Sequence, residues 1–258
     1  MTRPDPVTVV VAVPGTTHGL PELFANIAVQ TYLGDVDVVV VDHGPRPAID
    51  TTALRRWWVP TRVVHEPRPG LSYALNTGIE AGTGRWILIT SPDAIPAADW
   101  VRAMVSTLTH SGASLAGGRV LPQFTAARAP VLPSEVLSLF MPTQWPDIPC
   151  ELEPPYALSD YNLGMPRTEG PRFDCQLASP GQRRPGHGAR ELAARVQRDG
   201  HLVTVVPDAV VYRRIRPQDL TLRALWRRAR WHQVPISRLL RAHPHTPSGL
   251  GVPLRYGR

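Results

Sequence analysis

The chain has 258 residues, 28 of them basic and 21 acidic, giving a formal net charge of +7, with 43% hydrophobic and 19% charged residues. That balance excludes a disordered chain, and the length allows one large α/β domain or two small ones that bury a core without disulfide or metal staples. Every basic residue is arginine, a cation that does not titrate away and that grips phosphate or carboxylate with two prongs, so charge alone permits a nucleotide phosphate, an anionic lipid surface or nucleic acid as partner.

Val7 to Val13 is an unbroken apolar, mostly β-branched run, the pattern of a strand covered on both faces in a parallel sheet. Pro14-Gly15 closes it after too few residues for a signal peptide or membrane span. Leu20, Leu23 and Ile27 recur at helical spacing, and Val36 to Val41 predicts a second strand ending in the turn-forming Asp42-His43-Gly44-Pro45. A helix is expected from about Asp50, a strand over Arg62–His65, loop into helix over Gly70–Ala81, and a strand over Trp86–Thr90. This alternation predicts a right-handed βαβ series and an open, mostly parallel sheet whose ligand lies beyond the carboxyl ends of its strands. Asp42, Asn76 and Asp93 are placed at or near that edge, and three converging polar residues point to a ligand site there.

The proline-rich stretch 122–185 reads as loop-rich with limited helix. Glu191 to Asp199 predicts a helix stopped by Gly200. Leu202–Val206 and Val210–Tyr212 read as strands on either side of Pro207-Asp208. The last helix, over Leu220–Val234, carries Leu222, Leu225, Trp226 and Ala229 on one face and Arg223, Arg227 and Arg230 on another. Such a stripe is the packed side of a surface helix, with an interfacial or phosphate-facing role as the alternative. The tail from His243 is Pro- and Gly-rich and is expected to fray. Cys150 and Cys175 are too few for a disulfide framework and too far apart for a CxxC metal site, so a reducing cytoplasm is the expected compartment, with peripheral contact at the inner face of the membrane through the arginine cluster 223–230.

Gly70-Leu71-Ser72-Tyr73-Ala74-Leu75-Asn76-Thr77-Gly78-Ile79, then Gly84-Arg85-Trp86-Ile87-Leu88-Ile89, then Asp93-Ala94-Ile95-Pro96-Ala97-Ala98-Asp99-Trp100 resemble the GLSxARNxGI run, DxD strand and xxPxxDW element of family 2 glycosyltransferases with the GT-A fold. Gly117 to Pro122, Asn162 to Arg167, Phe173-Asp174, Glu191-Leu192 and Val206 to Tyr212 follow in the family's order, over roughly residues 7–235. The resemblance implies a Rossmann-like, mostly parallel central sheet flanked by helices. It divides the domain into a nucleotide-sugar-binding half, 1–121, and an acceptor-side half, 122–235, followed by a tail, 236–258. It also implies sugar transfer from a nucleotide donor to an acceptor hydroxyl, usually with inversion, in which a carboxylate deprotonates the acceptor and positive charge stabilises the departing diphosphate.

The chain departs from that pattern at the acidic positions. Ser91-Pro92-Asp93 stands where the family has DxD, whose aspartates hold a divalent metal. The ED of the family's xEDxEL element falls on Gly188 and Ala189, the late histidine on Arg213, and the arginine of GLSxARN on Leu75. Loss of acid with gain of Arg213 and Arg214 suggests that guanidinium groups neutralise the diphosphate and that no metal or other cofactor is used. The candidates for nucleotide-sugar binding are therefore Asp42, Asn76, Asp93, Arg213 and Arg214. His187, beside the position of the missing acid, and Glu191 are the catalytic candidates, against plain readings as a loop histidine and a helix-capping acid.

The expected function is that of a hexosyltransferase-type enzyme, inverting and metal-independent, acting on a small-molecule, lipid or glycan acceptor in polysaccharide, glycolipid or secondary-metabolite biosynthesis. Two alternatives stand beside it: an inactive homologue serving as a binding or partner subunit of another glycosyltransferase, and a GT-A scaffold recruited to a different reaction on an anionic substrate. Nucleic acid is not an expected partner, since the arginines are spread through both halves without a recognised motif.

Overall fold

All seven residues of β1, Val7–Val13, are buried, because the strand has helices on both faces. Val7, Val9, Val11 and Val13 enter one core and Val10 and Ala12 the other, so the unbroken apolar run is the direct mark of two-sided burial. The computed structural model describes residues 3–15, 17–50, 58–125, 134–142, 144–154, 156–177, 188–221 and 223–226. In chain order these form β1, α1 (Leu20–Ala28), β2 (Val36–His43), β3 (Thr61–Glu66), α2 (Leu71–Ala81), β4 (Trp86–Thr90), β5 (Ala94–Pro96), α3 (Trp100–Ser111), β6 (Leu115–Phe124), α4 (Ser134–Ser138), β7 (Cys150–Glu151), β8 (Asn162–Pro166), α5 (Gly188–Arg198) and β9 (Val203–Ile215).

The strands make one nine-stranded sheet in the order β3-β2-β1-β4-β8-β6-β9-β5, with β7 also on β9. The first four are parallel, β8 runs antiparallel to both neighbours, and β6 and β9 are again parallel. This is the mostly parallel, helix-flanked sheet that the alternation predicts. Helices α1 and α3 cover the first core through Leu23, Phe24, Trp100 and Met104. Helices α2 and α5 cover the second through Leu75, Ile79, Leu192 and Val196.

Where α2 crosses the sheet, Gly78 lets the backbones close: a Cβ there would lie 2.3 Å from Val10 Cγ1 and 2.9 Å from Val41 Cγ2. Leu75, at the position of the family's arginine, is buried in this same contact.

Two expectations change. The two strands drawn around Pro207-Asp208 are one, β9, because the interruption is taken up as a bulge in β9 itself: Gly118 pairs with Val206 and Val120 with Val211, leaving Arg119 alone opposite residues 207–210. The loop-rich segment 122–185 also contributes β8, which completes the middle of the sheet. Of the last helix, a 3-10 turn at Pro217–Leu220 and residues 223–226 are described. The rest of it, most of the helix expected from Asp50, and His187 lie outside the described residues. Among the described residues no helix is long and apolar enough to cross a membrane, and Cys150 and Cys175 are not bonded to each other.

Candidate active site

The carboxyl ends of β2, β3 and β4 and the segments that follow them meet along one edge of the sheet. Asp42, at the end of β2, is buried, and its Oδ2 accepts the backbone N–H groups of Ala48 at 2.6 Å and Ile49 at 2.9 Å. It thus folds the post-strand turn back over the edge. Beside it, burial holds His43 below the usual histidine pKa, against the opposing pull of Asp42 and Glu66.

Glu66 ends β3 and is the anchor of the next turn. Its carboxylate accepts the Arg68 guanidinium at 2.7 and 2.8 Å, the Arg68 backbone N–H at 2.9 Å and the Thr77 hydroxyl at 2.5 Å. These bonds, led by the Arg68 side chain, hold Glu66 down at about 2 despite its burial. Arg68 in turn lies 4.5 Å from the Tyr73 ring centroid. The cluster joins β3 to the start of α2 and orients both. Because the folded pKa is depressed, its stabilisation is present above the ordinary glutamate range and is lost as pH falls towards about 2. With Arg68 largely solvent-exposed, Glu66→Gln should cost about 1–2 kcal/mol at pH 7 and progressively less below pH 4, measured by urea unfolding across that range.

Asn76 is not at a strand end but in the middle of α2. Its Nδ2 donates to Phe173 O and its Oδ1 accepts Phe173 N–H, both at 2.9 Å, so the amide fastens the acceptor-side segment to the helix.

Asp93 lies in the turn after β4, where Oδ1 accepts the Ser91 hydroxyl at 2.6 Å and Oδ2 the Tyr161 hydroxyl at 3.4 Å. Gly19, at φ 89°, closes on this turn from the other side: a Cβ there would lie 2.3 Å from Pro92 O. The ring of Tyr161 carries Arg213 on its face, the guanidinium carbon 4.2 Å from the centroid. Arg213 is 6% exposed, pairs in register with Ala94 of β5, and donates to Phe140 O. Asp93, Tyr161 and Arg213 are therefore consecutive layers of one cluster. Among the described residues no carboxylate lies within ion-pair distance of Arg213.

Arg214 does not share that place. It makes an ion pair with Glu22 of α1, and with His18, Gln123, Phe124 and Arg216 it lines an open cavity of about 480 Å³.

Glu191, also buried, is tied to Arg195 at 3.0 Å one helical turn on, and Arg195 donates onward to Arg172 O. It braces α5. The acid that stands at the start of α5 comes from elsewhere: Asp160 Oδ1 accepts the backbone N–H of Ala189 at 2.6 Å. Burial pushes Asp160 up to about 7, against the Ala189 N–H and the positive charge of Arg190.

With this edge in view, the family model described as Glycosyl transferase family 2 matches residues 8–154. The chain belongs to glycosyl transferase family 2. Its fold is similar to that of the mannosyltransferase PcManGT from Pyrobaculum calidifontis in complex with GDP-Man and Mn2+, at TM-score 0.60 and 22% identity, over 93% of this chain and 65% of that one. It is also similar to S. aureus TarS 1–349 in complex with UDP, at 0.57 and 14%, over 97% of this chain and 75% of that one. For TarS 1–349 with UDP-GlcNAc the values are 0.56 and 14%, over 89% and 66%. This family 2 chain thus spans a little under two thirds of the mannosyltransferase's length. No curated protein matches it.

Asp160, Tyr161 and the Glu66–Arg68–Thr77 cluster are not among the residues that the sequence pattern singles out. Glu66-Pro67-Arg68-Pro69-Gly70 carries a usable signal, an acid and an arginine two residues apart at a strand end just before the Gly-Leu-Ser helix start. Asp160 carries none, because its burial depends on α5 packing beside it.

Proposed function

We propose that this chain transfers a hexosyl group, with inversion, from a nucleoside-diphosphate sugar to an acceptor hydroxyl, and that Arg213 meets the charge of the leaving diphosphate. The observation that carries this is a buried guanidinium with no carboxylate partner among the described residues, layered over Tyr161 beside Asp93. Keeping such a cation out of water without a counter-charge is costly, and a diphosphate placed here offsets that cost with charge-assisted hydrogen bonds. The donor class is supported by the nucleotide ligands of PcManGT and TarS.

A divalent metal, as in PcManGT with Mn2+, does not fit the donor set of this edge. Hard cations that bind phosphates are held through one or two carboxylates together with phosphate oxygens and waters. Asp93 is the single acid of the Ser91-Pro92-Asp93 turn, both of its oxygens already accept hydroxyl hydrogen bonds, and Arg213 occupies the late-strand position with a group that cannot ligate. Among the described residues no group of three or more His, Cys, Asp or Glu side chains could hold a metal ion.

Calorimetric titration of UDP-GlcNAc and GDP-mannose into the protein tests the reading. Affinity for whichever donor binds should change less than about threefold between EDTA and manganese, and should fall about 30–100-fold in Arg213→Met, the size of effect seen when a buried charge pair loses one partner. A tenfold loss on chelation overturns the arginine role. Failure of every UDP and GDP sugar to bind overturns the transferase reading.

A further inference from the structure

We propose that Asp160 is the general base of the transfer, its Oδ2 taking the proton of the acceptor hydroxyl at the start of α5. The inference rests on the transferase reading and deepens it.

The location comes from the sheet register. Asn162 pairs with Thr90, the last residue of β4, so Asp160 stands two residues beyond the carboxyl edge, next to the Tyr161 that touches both Asp93 and Arg213. The other carboxylates of the edge already serve side-chain or backbone donors. Glu66 is held by Arg68 and Thr77, Asp93 by Ser91 and Tyr161, and Glu191 by the ion pair with Arg195 on its own helix. Asp42 also keeps one buried oxygen, Oδ1, without a hydrogen bond among the described residues, but it lies on β2, separated from β8 by β1 and β4 and folded into its own turn, away from Tyr161 and Arg213. Among the described residues Asp160 is aimed by one bond, from the Ala189 N–H to Oδ1, and its Oδ2 is buried with no hydrogen-bond partner. An acceptor hydroxyl supplies that missing partner; catalytic hydrogen bonds commonly close only in the substrate complex.

Burial raises the proton affinity of this carboxyl to about 7, so it can both take and release a proton near neutrality. Among the described residues Arg190 is the charged group that faces it. In the step itself the acceptor O–H proton passes to Asp160 Oδ2, the acceptor oxygen bonds to the anomeric carbon, and the bond from that carbon to the diphosphate oxygen breaks. Its electron pair leaves with the nucleoside diphosphate, and the Asp160 carboxylic acid then releases the proton to solvent.

The test uses the full chain with UDP-GlcNAc and GDP-mannose, water serving as the acceptor. Donor binding is measured by calorimetry and nucleoside-diphosphate release is followed from pH 5.5 to 8.5, in wild type, Asp160→Asn and Asp160→Glu. Asp160→Asn keeps the acceptor for the Ala189 N–H. It should bind the donor within threefold of wild type, release nucleotide at least 100-fold more slowly, and lose the rise in rate that wild type shows near pH 7. Asp160→Glu should recover part of the rate and the pH limb. In wild type the Ala189 amide resonance should titrate with the same midpoint, and it should not titrate in Asp160→Asn. Turnover in Asp160→Asn within fivefold of wild type overturns the assignment alone, as does a flat wild-type pH profile, which needs no variant. Absence of donor binding in wild type overturns the transferase reading and the assignment with it.

Discussion

Asp160→Asn should unfold at a higher urea concentration than wild type at pH 8, by about 2–4 kcal/mol, and at nearly the same concentration at pH 4. The reason is the position of Asp160. In the unfolded chain its carboxyl ionises in the ordinary aspartate range, whereas in the fold burial holds it to about 7. Between about pH 4 and pH 7 the folded protein carries a proton that the unfolded chain has shed, so this residue lowers stability progressively as pH rises through that window. Above it the fold bears an ionised group stripped of water, with only the Ala189 N–H and the charge of Arg190 to offset the loss. Asparagine keeps the bond to Ala189 and never ionises. Its own amide N–H groups need partners, which is why the gain stays below the full shift. Circular dichroism at pH 4, 6 and 8 checks this, and a variant weaker than wild type at pH 8 would refute it.

Asn162→Ala should destabilise the fold by about 4 kcal/mol. Asn162 is fully buried. Its Nδ2 donates to Ala209 O at 2.7 Å and to Arg119 O at 3.0 Å, while its Oδ1 accepts the Trp100 indole N–H at 2.8 Å. Arg119 and Ala209 face each other where the β6–β9 ladder slips, so their carbonyls have lost strand partners and this amide replaces them. Gly118 leaves the room: a Cβ there would lie 2.3 Å from both Asn162 Nδ2 and Ala209 O. Removing the amide strands three polar groups in a dry interior, each a desolvation cost that no apolar contact repays. Trp100→Phe removes one of the three bonds and should cost about 1 kcal/mol. The double variant should be milder than the sum, because the indole N–H is then no longer stranded.

The early sheet was readable because its signal is local. Val7–Val13, Val36–Val41 and Trp86–Thr90 are mostly apolar on successive positions, and Gly70–Ala81 carries its own start, so three strands and a helix follow from local pattern alone. The second half resisted for the opposite reason. β8 is a short strand whose place depends on β4 and β6 pairing with it from far along the chain, and β9 runs through a proline because it bulges there while staying in the ladder with β6. At the site, the two adjacent arginines carry equal charge in the sequence, yet alternation along β9 sends Arg213 to Tyr161 and Arg214 to Glu22. Asn76 shows the same limit. Its position in the Gly-Leu-Ser run is plain, but its partner Phe173 is nearly a hundred residues away. Family pattern pointed to the carboxyl edge of the sheet; tertiary contacts decided which side chain there has which neighbour.

Residues 160–162 bind structure and chemistry into one tripeptide: an acid at the helix start, a ring between Asp93 and Arg213, and an amide that closes the sheet. Only the middle and last of these hold the fold together, since at neutral pH the first weakens it. On the assignment proposed above, exchanging Asp160 for its amide trades turnover for a sturdier fold at neutral pH.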